Sequence, residues 1–302
     1  MPLRAVAVAG VLVVMAFAVL AATMDRSPAE PTAVRQPAAP AARVALDPNA
    51  AIPTGPQALA RLMTGADVAL RQSIAVWRAH GDPAKGAPPD AVTLEALFLQ
   101  RALRRLSRHP TMAARTREHL PPRLARTTRD VVAALRDLRR LAAEYKPRPD
   151  RVRTGPPEPI GVLLRHYRAA QKRFKVGVHV LAAVNFVESA FGRLRNNSSA
   201  GAQGPMQFIA STWKAYGMGA NVRDPRDAIM GAANYLRASG APNYSRALYA
   251  YNPSRLYVRA VRRYARLISR DRAALYTLYS WQVFVGLPGG GERRITGPGL
   301  EE

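Results

Sequence analysis

Apolar residues recur at helical intervals along most of the chain. In the region between residues 57 and 145 they lie three or four positions apart in two stretches, formed by Leu94, Leu97, Phe98, Leu103 and Leu106, and by Val131, Leu135, Leu138, Leu141 and Ala142. This spacing predicts amphipathic helices. We expect Asp90 to cap the first of these helices and Thr127 with Asp130 to form a capping box at the start of the second.

The N-terminal segment has a different pattern, because no polar face interrupts it. Arg4 is followed by a run from Ala5 to Met24 that is uncharged and mostly apolar. A helix of about 20 such residues spans a hydrocarbon core of ~30 Å, whereas a cleaved signal usually has a shorter run of about 7–15 apolar residues. We therefore favour an uncleaved anchor in the cytoplasmic membrane, with a signal cleaved after Ala18 or Ala22 as the alternative. Either way, the rest of the chain is expected to be exported to the cell envelope.

Proline-rich stretches divide the remaining chain into regions. Six prolines fall between residues 25 and 55, and five more between 147 and 159, a composition typical of extended linkers. We predict a signal peptide or transmembrane anchor over 1–24, followed by a Pro/Ala-rich linker over 25–55. A helical region over 56–146 would act as a spacer or docking element, and a second linker would follow it over 147–159. The rest would be a catalytic domain with an aromatic C-terminal extension over 160–285 and a flexible tail over 286–302.

One carboxylate stands in the most apolar helical stretch of the chain. Between Val180 and Gly192 nearly all residues are apolar, and Glu188 is the only charged side chain. We expect a helix that ends at Gly192, a common stop signal. An apolar environment disfavours the anion, raises the pKa of the carboxyl group and makes it usable as a general acid. The alternative is a glutamate on the exposed face of a core helix, and this helix alone favours that alternative.

Four further short motifs follow Glu188-Ser189 in a fixed order. They are Ser198-Ser199-Ala200-Gly201-Ala202-Gln203-Gly204-Pro205-Met206-Gln207-Phe208, Asp224-Pro225, Ile229-Met230-Gly231-Ala232-Ala233 with Tyr235-Leu236, and Ala250-Tyr251-Asn252. Together they resemble the catalytic domain of the soluble lytic transglycosylases, which are relatives of goose-type lysozyme. The resemblance covers roughly residues 176–266. It implies a mainly α chain with a lysozyme-like α-helical catalytic domain.

The resemblance also implies a substrate and a mechanism. The substrate would be peptidoglycan glycan strands, cleaved at the β-1,4 bond between N-acetylmuramic acid and N-acetylglucosamine. Glu188 would first protonate the leaving oxygen and then, as a carboxylate, deprotonate the muramyl C6 hydroxyl, which closes a 1,6-anhydro ring. Hydrolysis by the same fold and glycan binding without cleavage are the alternatives.

Five other residues would contribute to substrate binding in this family. Ser189 would offer a hydroxyl to the sugar or its N-acetyl group, Met206 and Gln207 would line the glycan groove, Tyr251 would lie near the acid, and Asn252 would support the groove. The chain departs from the family after Tyr251-Asn252, because Pro253 to Val258 replace the usual glycine-containing loop. Tyrosines that could stack on sugars are Tyr216, Tyr235, Tyr244, Tyr249 and Tyr257, and the sequence does not choose among them.

Acidic residues are scarce in the catalytic domain. Between residues 160 and 270 they are Glu188, Asp224 and Asp227. Asp224 precedes Pro225, which predicts a helix N-cap, and Asp227 would lie in the first turn of the same helix, where a negative charge is favourable. Most glycosidases use two carboxylates, so a single catalytic carboxylate agrees with the implied mechanism.

The net charge of +25, from 45 Lys+Arg against 20 Asp+Glu, has three possible explanations. It suits an anionic envelope polymer or membrane surface, it could follow from an Arg- and Ala-rich composition alone, or it could serve nucleic acid. No nucleic-acid motif accompanies it, so we expect no specific nucleic-acid partner. The chain has no cysteine and its five histidines lack metal-ligand spacing, so no metal or other cofactor is expected.

Overall fold

The computed structural model describes residues 47–143, 151–287 and 291–300. The predicted anchor over 1–24 and most of the predicted linker over 25–55 lie outside these residues. Within the described ranges, no helix combines the length and the apolar character that a membrane span requires.

The fold is mainly α, as predicted. The described part of the chain contains one antiparallel pair of short strands, β1 (Phe284–Gly286) and β2 (Glu292–Arg294), and the following helices: α1 (Pro56–His80), α2 (Asp90–Arg108), α3 (Pro110–Glu118), α4 (Pro122–Ala142), α5 (Ile160–Phe174), α6 (Val178–Ser189), α7 (Ala210–Tyr216), α8 (Pro225–Ala238), α9 (Tyr244–Tyr251), α10 (Arg255–Arg270) and α11 (Arg272–Tyr279).

The helical region has the predicted apolar faces but different helix starts. Asp90 is the first residue of α2 and makes no side-chain capping hydrogen bond. Thr127 and Asp130 lie inside α4, because α4 already begins at Pro122. Proline suits the first turn of a helix, since its fixed φ and missing N–H cost nothing there. Both predicted caps are therefore wrong.

The predicted spacer and the catalytic domain share one hydrophobic core. Leu135 and Leu138 of α4 and Tyr264 of α10 belong to the same cluster of buried residues. At the α4–α10 contact, the carboxylate of Asp137 accepts a 2.8 Å hydrogen bond from Arg259 and pairs with Arg263. The region over 56–146 is consequently part of the body of the protein and not a separate spacer.

The second proline-rich segment is partly built into the structure. Residues 144–150 lie outside the described ranges, but Thr154 forms a β-bridge with Leu194. Gly155 N–H donates to the carbonyl of Arg193 at 2.9 Å. The expectation of a free linker over 147–159 is therefore wrong for this part, because its backbone pairs with the chain that follows α6.

The C-terminal part folds back onto the helical region. Residues 275–279 of the aromatic C-terminal extension belong to α11, and β1 pairs with β2 in the register Phe284 with Arg294. Glu292 of β2 forms a 2.6 Å ion pair with Arg104 of α2. The prediction of a flexible tail over 286–302 is thus wrong for residues 291–300, since their partners come from a distant helix that local composition does not reveal.

Candidate active site

Glu188 lies in the last turn of α6. The helix is buried on all sides from Val180 to Val187, whereas Glu188 is only partly buried. A helix that is apolar all round belongs in the core, so the chain buries α6 and brings the carboxyl group to the edge of the core. The helix ends at Ser189, three residues before the predicted stop at Gly192, because Ala190 and Phe191 adopt left-handed φ values of 51° and 63°.

Glu188 receives a hydrogen bond from a tyrosine of α10. The hydroxyl of Tyr257 donates to Oε1 of Glu188 at 2.6 Å, and Tyr257 itself is fully buried. Burial raises the pKa of Glu188 from 4.5 to about 7, and the Tyr257 hydrogen bond partly opposes this rise because it stabilises the anion. Near neutral pH the carboxyl group can therefore exist in both protonation states.

Tyr251 joins the end of α9 to the loop after α6. Its hydroxyl donates to the backbone carbonyl of Met206 at 2.6 Å. Burial, followed by the negative charge of Glu188, raises the pKa of Tyr251 well above its usual value. The pKa of Tyr251 therefore depends on the charge of Glu188, but the hydrogen bond to the carboxyl group of Glu188 comes from Tyr257.

The loop from Gln203 to Phe208 is a tight turn. Gln203 and Phe208 exchange two backbone hydrogen bonds, of 2.9 and 2.8 Å. Gly204 has a φ of +72°, and a Cβ on it would lie 1.9 Å from the carbonyl oxygen of Val222, so only glycine fits. Gln207, also in a left-handed conformation with φ 48°, donates from Nε2 to the carbonyl of Gly204 at 2.9 Å. Its side chain is partly exposed.

Ser189 and Met206 lie in the interior and not on a groove. Ser189 is fully buried, and its hydroxyl donates to the carbonyl of Pro205 at 2.6 Å while it accepts from Gly192 N–H at 2.8 Å. Met206 is also fully buried. Ser189 fixes the 203–208 loop against the end of α6, and the carbonyl of Met206 joins the same loop to Tyr251. The expectation that they contact the sugar does not agree with this burial.

Asn252 is the C-cap of α9, in extended conformation and partly exposed. Its backbone N–H donates to the carbonyl of Leu248 at 3.0 Å. The position agrees with a residue that supports the edge of the site.

A row of partly buried aromatic rings leads away from Tyr251. The centroids of Tyr251 and Tyr235 lie 5.6 Å apart, and those of Tyr235 and Tyr216 lie 4.9 Å apart. The other candidates for sugar stacking lie outside this row. Tyr257 is buried against Glu188, and Tyr244 packs edge-on against His179. The side chain of Tyr249 is 48% exposed and makes no ring contact with the row. The structure thus selects Tyr216, Tyr235 and Tyr251 as neighbours.

The two aspartates of the domain have the structural roles that the sequence predicts. Asp224 caps α8 by accepting from the backbone N–H of Asp227 at 2.9 Å, and Asp227 lies in the first turn of that helix. Asp227 in turn accepts from Asn221 N–H at 3.3 Å. Within the described ranges, no three His, Cys, Asp or Glu side chains are grouped as a metal site would require.

Residues 165–270 match the family described as Transglycosylase SLT domain. This segment is similar to SLT domains, and we refer to the matched residues as the SLT domain. It begins inside α5, ends with the last residue of α10, and so contains Glu188, the 203–208 loop, Tyr251 and Tyr257. No curated protein and no solved structure matches the chain. The SLT domain indicates, in general terms, peptidoglycan cleavage of the lytic transglycosylase type.

Tyr257 is the residue of the SLT domain whose position sequence reasoning misjudged. It is one of five tyrosines that could stack on sugars by sequence alone, whereas it lies on the buried face of α10. The signal was available in the period of that helix, since Tyr257, Val261, Tyr264 and Ile268 recur at intervals of three or four and all are buried.

Proposed function

We propose that this protein is a peptidoglycan lytic transglycosylase that cleaves the β-1,4 bond between N-acetylmuramic acid and N-acetylglucosamine and leaves a 1,6-anhydromuramyl end. The observation that carries the proposal is the carboxyl group of Glu188, whose pKa burial raises to about 7 and which lies inside the matched segment 165–270.

Glu188 acts first as the general acid. Its Oε1 accepts the hydrogen bond from Tyr257, which leaves Oε2 to carry the proton towards the glycosidic oxygen. As the bond from the anomeric carbon to this oxygen breaks, the oxygen keeps the electron pair and takes the proton. Positive charge develops at the anomeric carbon, and Glu188 becomes an anion that Tyr257 stabilises.

Glu188 then acts as the base. The carboxylate removes the proton from the muramyl C6 hydroxyl, and the C6 oxygen forms a bond to the anomeric carbon. The ring closure restores the protonated acid and consumes no water. A pKa near 7 suits both steps, because an acid–base catalyst works best when its pKa is close to the working pH.

The two aspartates of the SLT domain have structural roles, which supports a mechanism with one catalytic carboxylate over a mechanism with two. Asp224 and Asp227 are engaged at the start of α8, so Glu188 is the remaining acid of residues 160–270. We assign substrate binding to Gln207, Asn252 and the Tyr251–Tyr235–Tyr216 row, whose side chains are partly exposed. Ser189 and Met206 contribute by holding the loop that bears Gln207.

We also propose that the protein works in the cell envelope, anchored to the cytoplasmic membrane by residues 5–24. The apolar run of the sequence and the net charge of +25 support this location. Fractionation of cells that produce the tagged protein tests it: recovery in the membrane fraction is expected, and recovery in the cytosol would contradict it.

Incubation of the full chain with purified peptidoglycan, followed by mass analysis of the released glycans, tests the activity. Anhydro ends are expected from the native protein, and Glu188→Gln should lower their rate of formation by about 10²–10⁴-fold. Glu118→Gln is the matched control, because Glu118 is exposed on α3 and should leave the rate unchanged. Reducing ends in place of anhydro ends would show a hydrolytic muramidase, and glycan binding without products would show a binding protein.

A further inference from the structure

A strongly basic cleft lies outside the SLT domain, between α2, α3 and the chain that precedes α1. Two adjoining cavities form it, of about 380 and 290 Å³, which share Arg105 and His109 in their walls. We call it the basic cleft and define it by Arg101, Arg104, Arg105, Arg108, His109 and Arg115. None of these residues belongs to the matched segment 165–270.

One end of the basic cleft already holds a carboxylate from an extended strand. Glu292 of β2 pairs with Arg104 at 2.6 Å and with Arg108, and its partner strand places Phe284 under the guanidinium of Arg104 at 4.3 Å. The chain itself thus shows which ligand this end accepts. An acidic side chain on an extended backbone is bound between guanidinium groups, with an aromatic ring beside it.

The other end of the basic cleft also has guanidinium groups, but no carboxylate of the described residues pairs with them. Among the described residues, no salt bridge reaches Arg105 or Arg115, and the Nε of Arg105 is buried with no hydrogen-bond partner. A buried N–H without a partner costs free energy, so a ligand that accepts from Arg105 would remove this cost. Arg101 donates to the neutral backbone carbonyls of Pro48 and Asn49, and the negative charge of Asp47 lies near it.

The walls beside these arginines are partly apolar. Pro56, Pro110 and Met112 line the larger cavity, and Ile52 lines the smaller one. Guanidinium groups bind carboxylates and phosphates equally well by geometry, but a phosphate polymer offers nothing to the apolar walls. A peptide supplies aliphatic groups and carboxylates together.

We propose that the basic cleft is a second binding site, which takes an extended acidic peptide and binds its carboxylates through Arg105 and Arg115 in the way that Arg104 and Arg108 bind Glu292. This site is independent of Glu188 and of glycan cleavage. Its ligand is an acidic segment of a protein, and the stem peptide of peptidoglycan, which has similar carboxylate and methyl chemistry, is the competing candidate in the test.

Fluorescence titration of the full chain tests the proposal with three probes at a fixed salt concentration: a labelled Ala-Glu-Ala-Glu-Ala-Glu peptide, a labelled stem peptide released from peptidoglycan, and inorganic triphosphate as competitor. The test variant is Arg105→Gln with Arg115→Gln. The matched control is Arg262→Gln with Arg266→Gln, which removes the same charge from an exposed face of α10. Thermal melting verifies that both variants are folded.

The test variant should lose at least about tenfold in peptide affinity, while the control changes by less than about twofold. Tighter binding of the Ala-Glu peptide than of the stem peptide is expected, and the reverse order would contradict a protein segment as the ligand. Equal losses of affinity in the two variants would show that only net charge matters. The assignment would be overturned if neither peptide binds. It would also be overturned if triphosphate binds more tightly than the peptides with the same dependence on Arg105 and Arg115. Glycan cleavage by the test variant should be unchanged, so failure of this proposal and failure of the proposed function are separable.

Discussion

The hydroxyl of Tyr257 lies 2.6 Å from Oε1 of Glu188, although 69 residues separate the two along the chain. This hydrogen bond joins α10 to the end of α6. It fixes one carboxyl oxygen and leaves the other for chemistry. The hydrogen bond favours the anion of Glu188, whereas burial disfavours that anion. The two effects together set the pKa of Glu188 and so the pH range in which the protonated acid is present.

Tyr257→Phe should move the pH profile of cleavage to higher pH. The substitution removes the hydrogen bond that stabilises the anion, so the pKa of Glu188 should rise above about 7. Since the protonated form is the acid, the falling alkaline limb of kcat/KM should shift upwards, and the maximal rate should fall on the order of tenfold because the carboxylate loses its orientation. Tyr249→Phe, at an exposed ring, is the control. An alkaline limb at the same pH in Tyr257→Phe would show that the hydrogen bond does not act on the reacting state.

Glu188→Gln should stabilise the protein above pH 7. The folded-state pKa of Glu188 is raised to about 7 from 4.5, so the folded state holds a proton that the unfolded state releases between these values. Stability is lost as pH rises through this window, by about 3 kcal/mol in full. A glutamine side chain at this position does not ionise, so the variant avoids this loss.

Urea unfolding at pH 5 and pH 8 checks this prediction. The gain of Glu188→Gln over the native protein should be larger at pH 8 than at pH 5. A gain that does not depend on pH would mean that the carboxyl group is not desolvated in the folded state.

Gly204→Ala should disrupt the 203–208 loop much more than Gly201→Ala. Both glycines have positive φ, but a Cβ at Gly204 would lie 1.9 Å from the carbonyl oxygen of Val222, whereas a Cβ at Gly201 meets nothing within 4 Å. Gly201→Ala should therefore cost only the backbone strain of about 1 kcal/mol, and Gly204→Ala clearly more. Thermal melting and the KM for glycan measure the two effects. Similar costs at both positions would contradict the close approach.

Asp137→Asn should loosen α4 from α10. Asp137 is buried and pairs with the partly exposed Arg259 and Arg263, so its neutralisation should lower the free energy of unfolding by about 2 kcal/mol. Asp130→Asn is the matched control, because Asp130 pairs with the exposed Arg129, and such surface pairs contribute about 0–1 kcal/mol. Urea unfolding distinguishes them. Equal effects would show that the ion pairs do not join the two regions.

The sequence predicts the helical character of the chain and the apolar environment of Glu188. Apolar residues around Glu188 predict a carboxyl group with a raised pKa, and the structure gives about 7. Asp224 was recognised as an N-cap because capping depends on only three neighbouring residues. These features are local, so their physical causes are visible in a short stretch of sequence.

The roles of Ser189, Met206 and Tyr257 could not be assigned in the same way. Each depends on a partner distant in sequence: Ser189 bonds Pro205, Met206 bonds Tyr251, and Tyr257 bonds Glu188. The same reason explains why the sequence predicts a flexible tail where residues 291–300 are held in place. Glu292 pairs with Arg104, which lies 188 positions earlier in the chain.

The order of residues thus determined which segments become helices, how α8 is capped, and that one carboxylate enters an apolar environment, because hydrophobic period and capping act over one or two turns. Only the tertiary structure decided which hydroxyl reaches that carboxylate, which motif residues are buried, and where the arginines gather into a cleft. Those outcomes depend on how helices pack, and packing brings together groups whose separation along the chain carries no information about their distance in space.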